Sequence, residues 1–235
     1  MRISASQIPS RMHPMPFVRL ELVVMSIIEG KLAVILGKRE QAPFAGRWAL
    51  PGGVLRIDVD ADLNAAAQRV AQERLGVALP YLRQLGAVGS RDRDPRAPWA
   101  LSIAYRALVP PGAIEPLAGK RLESIEWRSV DRAAEDPTLA FDHAALARAA
   151  AQETRREIEN LELPFDFLPE RFTLGELQSV CEAMLGRRLD KSSFRRKLDD
   201  RDSVVPVPGE MRTGAFRPAQ LYTRASFGRE NEIQD

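Results

Sequence analysis

The chain has one cysteine in 235 residues, so no intramolecular disulfide can hold it together. That residue, Cys181, lies on the apolar stripe Leu174, Leu177, Val180, Cys181, Met184, which marks it as a small core residue rather than a nucleophile. Long apolar runs are missing too. The longest, around Leu22 to Ile28, falls far short of the roughly twenty residues that a membrane-spanning helix needs. The segment Met1 to Pro16 carries three prolines and two arginines but no continuous apolar stretch, unlike a secretory signal. These absences predict a cytoplasmic protein with no membrane partner. Nor is there an excess of one charge: 34 Lys and Arg face 32 Asp and Glu, a net of +2, so only the distribution of charge can point to partners. The apolar content, 45%, is ordinary for globular protein, and the length fits two modest domains.

What is present is organised around the stretch from Trp48 to Val77. Trp48, Ala49, Leu50 and Pro51 lead into Gly52 and Gly53, where the chain is expected to turn with main-chain N–H groups free to meet a polyanion. From Asp62 the pattern becomes helical: Leu63, Ala66, Ala67 and Val70 recur at three- and four-residue steps, and Gly76 stands where a C-terminal cap belongs. This stretch resembles the Nudix box, the loop-helix signature of enzymes that hydrolyse nucleoside diphosphates linked to another group. The family pattern is Gly, five residues, Glu, seven residues, then Arg-Glu-apolar-any-Glu-Glu-any-Gly-apolar. Arg69, Ala71, Glu73, Gly76 and Val77 match, but Val70 and Arg74 take two glutamate places, Ala61 takes a third, and Gly53 lies two residues too far upstream.

That departure bears directly on chemistry. Magnesium needs several oxygen ligands, and positions 70, 73 and 74 have the spacing to supply them from one helix face. Here they offer an isopropyl group, one carboxylate and a guanidinium. Asp58, Asp60 and Asp62 are open to two readings, loop ligands or solvated acids with Asp62 as helix N-cap. The domain is therefore expected to bind without catalysing, with no metal and no cofactor.

Taken in order, Met1 to about Met15 reads as a flexible arm. Val18 to Ile28 and Leu32 to Leu36 form a hairpin about Glu29, Gly30 and Lys31, and Gln41 to Arg47 is a loop. Strands follow at Leu82 to Gly89, at Leu101, Ile103 and Tyr105, and at Ile125, Trp127 and Val130, completing a mixed sheet. The loop Asp92, Arg93, Asp94, Pro95, Arg96 resembles that of ADP-ribose-processing Nudix domains, although a plain charged loop reads the same way. A helix then runs from His143 to about Leu161. His143 is either a ligand contact at the cleft mouth or a capping or surface residue. Pro164 and Pro169 bracket a break, which sets a boundary near residue 163.

Beyond it the local signals are explicit. Thr173 and Glu176 form a capping box with Phe172 and Leu177 as its staple, and the helix stops at Gly186. Asp190 caps a second helix on which Phe194 and Leu198 face inward and Lys191, Ser192, Ser193, Arg195, Arg196 and Lys197 face outward, the layout of a DNA-recognition helix. Between Arg187 and Arg224 ten basic residues stand against five acidic ones. Val204 to Val207, a turn at Pro208, Gly209 and Glu210, and Gln220 to Thr223 suggest a wing carrying Arg212 and Arg217.

The phrases Leu168 to Gln178, Leu189 to Leu198 and Arg217 to Tyr222 resemble the winged-helix domain of the Nudix-related transcriptional regulators, the NrtR family. The resemblance implies an α/β (α+β) chain: an arm at 1–15, a Nudix-like α/β/α sandwich with mixed sheet at 16–163, a winged helix-turn-helix domain at 164–227 and a tail at 228–235. It implies a dimeric repressor of NAD-metabolism genes that senses ADP-ribose or a related nucleotide and binds a pseudo-palindromic double-stranded operator. The expected effector contacts are Arg39, Arg47, Leu50, Gly52, Gly53, Arg69, Glu73, Arg74, Asp92, Arg96 and His143. Arg74 has a competing reading, a surface side chain turned to solvent or paired with Glu73. The expected DNA contacts are Thr173, Lys191, Ser192, Ser193, Arg195, Arg196, Lys197, Arg212, Arg217 and Tyr222. The alternatives are an active ADP-ribose pyrophosphatase with a basic accessory domain, a regulator of sugar use, and a scaffold whose basic domain holds RNA or protein.

Overall fold

The structure is a computed structural model that describes residues 15–213 and 218–225, so most of the expected arm and all of the expected tail at 228–235 lie outside the described residues. Its spine is a hairpin of β1 (Phe17–Ile28) and β2 (Lys31–Arg39). Glu29 and Gly30 both take positive φ, 50° and 72°, as a two-residue turn matched to strand twist requires. β3 (Trp48–Ala49) pairs with β2, and β4 (Gly52–Val54) pairs with β1. After helix α1 (Leu63–Leu75) come β5 (Arg83–Ser90), β6 (Ala100–Leu108) and β7 (Leu122–Ser129). They complete a seven-stranded mixed sheet in which β1 and β6 run parallel and the other pairs antiparallel.

The near-continuous apolar run of β1 has a physical reason, for both of its faces are covered. Leu20, Leu22 and Val24 join Ile35 under α1, against Ala66, Ala67, Val70 and Ala71. Val23 and Met25 point the other way, with Leu32, Val34 and Leu36, toward α2 (Val130–Glu135) and α3 (His143–Glu159). The short α2 was not foreseen. Val130, expected in a strand, opens this helix and is fully buried.

A single 3-10 turn (Phe165–Phe167) leads to β8 (Phe172–Thr173), α4 (Leu174–Leu185), α5 (Lys191–Asp200), β9 (Val204–Arg212) and β10 (Ala219–Arg224). β8 and β9 flank β10 in an antiparallel sheet, a winged helix-turn-helix. The capping box of α4 is complete: Glu176 N–H donates to Thr173 Oγ1 at 3.2 Å, and Thr173 N–H to the Glu176 carboxylate at 2.7 Å. Asp190 accepts from Ser193 N–H at 2.8 Å. The turn expected at Pro208, Gly209 and Glu210 is instead a bulge inside β9: Met211 faces Gln220 and Pro206 faces Tyr222. The Gln220 amide closes that bulge by donating to Val207 O at 2.7 Å and Glu210 O at 3.1 Å. α4 does not sit apart from the first sheet. Leu174, Leu177, Cys181 and Met184 share one apolar cluster with Val34, Leu36, Ala150, Ala151 and Ile158.

Candidate functional site

Where β2 ends, β4 begins and α1 closes, five arginines line one small cavity of about 40 Å³: Arg19, Arg39, Arg74, Arg96 and Arg121. That volume holds little more than one water-sized group, so a larger ligand must extend outward from it. Arg19 is neutralised by Glu21, its Nε donating to Oε1 at 2.8 Å, and Arg96 by Asp94 at 2.5 Å. The others are not. Arg39 donates to the carbonyls of Pro43 at 2.7 Å and Gln41 at 3.4 Å. Arg74 donates to Gly52 O at 2.8 Å and Lys120 O at 2.5 Å. Among the described residues no carboxylate pairs with Arg39, Arg74 or Arg121 within ion-pair distance. Burial, followed by repulsion from Arg19 and Arg96, pulls the Arg39 guanidinium down to about 10. Burial and the neighbouring Arg121 lower Arg74 as well. Such a cavity favours an anion, which removes the repulsion and gains charge-assisted hydrogen bonds. Beside it lies an aromatic wall: Arg39 stacks over Phe141 at 5.1 Å, Arg96 over Phe17 at 5.1 Å, and Phe44 meets Phe141 edge-on at 4.8 Å.

The helix that carries the Nudix pattern explains how Arg74 arrives there. Asp62 caps its start by accepting from Ala65 N–H at 2.8 Å, and Gly76 ends it in the left-handed conformation. Position 74 then looks at the glycine strand, and its guanidinium does not pair with Glu73. Val70, at another glutamate place, is fully buried, and a Cβ on Gly53 would fall 2.7 Å from its Cγ2. Glu73 is held by Arg69 at 3.3 Å, with Lys120 at 3.7 Å and Arg56 at 3.8 Å. Asp60 accepts from Arg69 Nε at 2.7 Å and Nη2 at 2.8 Å, which with Val54 O at 2.9 Å ties the loop to the helix.

Behind the cavity floor stands a buried polar pair. His143 opens α3, and its Nδ1 accepts from Leu50 N–H at 2.9 Å. Its Nε2 faces Glu21 Oε2 at 3.6 Å, and neither atom has a hydrogen-bond partner among the described residues. Burial resists ionisation of Glu21, but Arg19 and His143 together outweigh it and hold the carboxylate well below its usual range. Burial lowers His143, which leaves the ring neutral.

Of the expected effector contacts, Arg39, Leu50, Gly52, Arg74 and Arg96 line the cavity. The others are placed elsewhere. Arg47 is exposed and stacks on Phe44 at 5.4 Å. Gly53 is not a free turn: Leu22 N–H donates to Pro51 O and Leu55 N–H to Val18 O, so the ladder alternation binds Gly53 to Leu20 in the sheet. Both glycines are required by close neighbours rather than by backbone freedom, for a Cβ on Gly52 would fall 1.8 Å from Glu21 Oε2. Arg69 and Glu73 are occupied with each other and with loop acids and bases. Asp92 is exposed and outside the cavity. His143 is neither at a cleft mouth nor on the surface, but fully buried behind the floor. Arg19, Gln41 and Arg121 were missed. A signal for Arg19 did exist, since Arg19 and Glu21 are charges set inside an otherwise apolar run.

A second cleft, about 1020 Å³, opens between the two domains, lined by Tyr81, Leu108, Ile158, Phe165, Phe167 and Met184 among others. In it Glu157 takes both Arg106 at 2.6 Å and Arg83 at 2.7 Å. The smaller cavity has the stronger chemical bias.

The second cationic feature is α5. Phe194 and Leu198 are buried against α4, and Lys191, Ser192, Ser193, Arg195, Arg196 and Lys197 are exposed. Lys191, Arg195, Arg196 and Lys197 have no ion pair among the described residues, whereas Arg187 is bound to Glu159 at 2.8 Å and Arg188 to Glu182 at 2.9 Å. Other expected DNA contacts are engaged within the fold. Thr173 Oγ1 serves the cap, Arg212 is tied to Glu176 and donates to Arg171 O at 3.1 Å, and Tyr222 packs half-buried against the core. Arg217 lies outside the described residues.

Residues 19–150 match the NUDIX domain and residues 164–223 the NrtR DNA-binding winged helix domain. The chain is 34% identical to the ADPR responsive transcriptional repressor NtrR of Acinetobacter baylyi, over 89% of this chain and 82% of that protein. It is 32% identical to the ADP-ribose pyrophosphatase of Methanocaldococcus jannaschii, over 54% of this chain and 70% of that one. Shewanella oneidensis NrtR, solved in complex with a 27mer DNA, superposes with a TM-score of 0.69 at 32% identity, covering 88% of this chain and 93% of that one. Its NUDIX domain, solved with ADP ribose, gives 0.56 at 27% identity over 63% of this chain and 94% of that one. With both domains matched in this order on one chain, the protein belongs to the NrtR family of Nudix-related transcriptional regulators.

Proposed function

We propose that the chain is a DNA-binding transcriptional repressor of NAD-metabolism genes, switched by ADP-ribose or a close relative held at the arginine cavity. The observation that carries this reading is Arg74. At a place where the Nudix pattern has a carboxylate, its guanidinium reaches the glycine strand and joins Arg39 and Arg121 as cations without a carboxylate partner among the described residues. A diphosphate would be bound there by paired hydrogen bonds, with no cation required. The remainder of the nucleotide would lie along Phe44 and Phe141. The similarity to an ADPR responsive repressor supports the effector, and the similarity to a DNA-bound structure supports the role of α5.

The chain acts as a sensor and not a hydrolase, because Val70 is sealed in the core and Glu73 is already paired. The M. jannaschii relative favours the enzyme reading, and turnover separates the two: no hydrolysis of ADP-ribose is expected with magnesium or manganese, and a rate near one per second would overturn the sensor reading. A homodimer placing two α5 helices on half-sites about one or two helical turns apart in a pseudo-palindromic operator completes the proposal, and this work on DNA sets it in the cytoplasm. Selecting operator fragments from the organism's own DNA, with and without ADP-ribose, tests the whole; protection of a single asymmetric half-site would exclude the symmetric dimer.

A further inference from the structure

Resting on that reading, we infer that His143 is the joint through which the arginine cavity reaches the DNA-binding helices, with Glu21 as the element that moves it. The two ends of the connection are both physical. At one end, His143 Nδ1 accepts from Leu50 N–H, and Leu50 lines the cavity. At the other, α3 runs for 17 residues, about 25 Å at the usual helical rise, and its last turns hold the winged helix. Arg155 Nε donates to Met184 O at 3.4 Å, Glu159 pairs with Arg187 at 2.8 Å, and Ile158 packs in the same cluster as Leu177, Cys181 and Met184. α4 in turn holds α5 through Phe194 and Leu198. A shift at His143 is thus a shift at one end of a rigid rod whose other end is docked on the recognition motif.

The cavity can move His143 because of a contact left unfinished. Glu21 Oε2 and His143 Nε2 are both buried and without a hydrogen-bond partner among the described residues, 3.6 Å apart, and a hydrogen bond needs them closer by about 0.7 Å. Arg19 keeps Glu21 drawn to itself at Oε1, 2.8 Å away, with Ser102 Oγ donating to the same oxygen at 3.3 Å. Yet Arg19 is also a cavity wall, and its guanidinium lies over Phe141, two residues before His143, at 5.4 Å. An anionic effector competes with Glu21 for that guanidinium. The more Arg19 turns to the anion, the more of the Glu21 charge falls to His143 Nε2–H, and the gap closes. Gly52 stands against the same carboxylate oxygen, so its movement is felt by the strand that forms the floor. Two packed arrangements joined by a sub-ångström shift are how buried cores transmit a binding event.

The substitution His143→Asn separates the functions of the ring, since asparagine offers an acceptor near the place of Nδ1 but does not extend to Glu21. In the full-length protein, the Kd for a duplex selected by the wild type is measured with and without saturating ADP-ribose. Wild type is expected to change its DNA affinity at least about fivefold and the variant less than about twofold, judged against the usual range of coupling between sites. A variant that keeps the wild-type factor overturns the joint and leaves the effector reading intact. Wild type that ignores ADP-ribose overturns the effector reading, and the joint with it. Should the variant not fold, the chain's two histidines permit selective nitrogen-15 labelling of the wild type. The Nε2 resonance of His143 should then shift on adding ADP-ribose, and one that stays unmoved under saturation overturns the proposal.

Discussion

The cavity and α5 each gather several cations on a few residues, and they differ in what surrounds those cations. On α5 the side chains stand in water, each charge is hydrated, and nothing is gained by neutralising it except release of counterions from a long anion. In the cavity Arg39 and Arg74 are partly buried, and burial together with the neighbouring guanidiniums lowers both, so charge is held there at a cost before any ligand arrives. The same residue type therefore makes two kinds of site. An exposed array suits a polymer and is tuned by salt, whereas a partly buried cluster suits a compact anion and is tuned by the buried carboxylates beside it, Glu21 and Asp94.

The widest separation should come from replacing Arg195 and Arg196 together with alanine. Each contact to a base edge or phosphate contributes about 1–3 kcal/mol, so the pair should lose about thirtyfold or more in operator affinity on this scale. ADP-ribose binding by calorimetry should be unaffected. Raising salt should imitate the variant for DNA and do much less to the effector. If the double variant binds operator normally, α5 is not the reading helix.

Next in size is Arg74→Ala or Arg39→Ala, each expected to cost about 1.5–3 kcal/mol in ADP-ribose affinity, the range for hydrogen bonds to a charged group. Binding by the wild type should persist in excess EDTA. A wild-type signal that vanishes with EDTA would hand the diphosphate to a metal ion, and an unchanged Arg74→Ala would make that arginine a lid on Gly52 O and nothing more.

How far these two regions were legible in the sequence follows the same division. The α4 and α5 helices are built from signals within four residues of one another, the Thr173 and Glu176 box, the Asp190 cap, and the spacing of Phe194 and Leu198, and each lies where the sequence puts it. α1, with its caps at Asp62 and Gly76, was equally open. The cavity was only half visible, because it is assembled from β1, β2, α1 and the approach to β7, and nothing local ties Arg19 to Arg121. Long-range contacts also explain the errors. Pro208 and Gly209 carry turn chemistry, yet the amide of Gln220 holds them as a bulge within a strand. Gly52 and Gly53 resemble a phosphate loop, yet Glu21 and Val70 are what forbid a side chain there.

The dependence of the cavity on Glu21 can be sharpened with acid. In the folded protein Arg19 and His143 together overcome burial and keep this carboxylate ionised well below the range in which the unfolded side chain, near pH 4.3, takes up a proton. The folded state thus binds fewer protons than the unfolded one, and stability present above about pH 4 is lost as pH falls through the folded value. Urea midpoints followed from neutral pH into acid should show this loss, and Glu21→Gln, weaker at neutral pH, should show a flatter curve. Parallel curves would mean that Glu21 does not carry the charge balance of the cavity.

The smallest effect tests the claim that repulsion is stored there at all. Arg121 lines the cavity, lowers its neighbour Arg74, and has no ion pair among the described residues. Its backbone sits at φ 62°, where most side chains are strained but asparagine is at ease. Arg121→Asn therefore removes one charge without disturbing the turn, and the carbonyl that accepts from Glu40 N–H at 3.1 Å remains in place. Since the side chain is largely in solvent, screening limits the gain, and the apo protein should be stabilised by about 0.5 kcal/mol, the scale of exposed charge pairs. The sign matters more than the size. A rise in stability together with weaker ADP-ribose binding is the trade expected of a site that holds like charges in readiness for an anion. A fall in stability would mean that these arginines are held by their carbonyl partners without strain, and the contrast with α5 would then be one of burial alone.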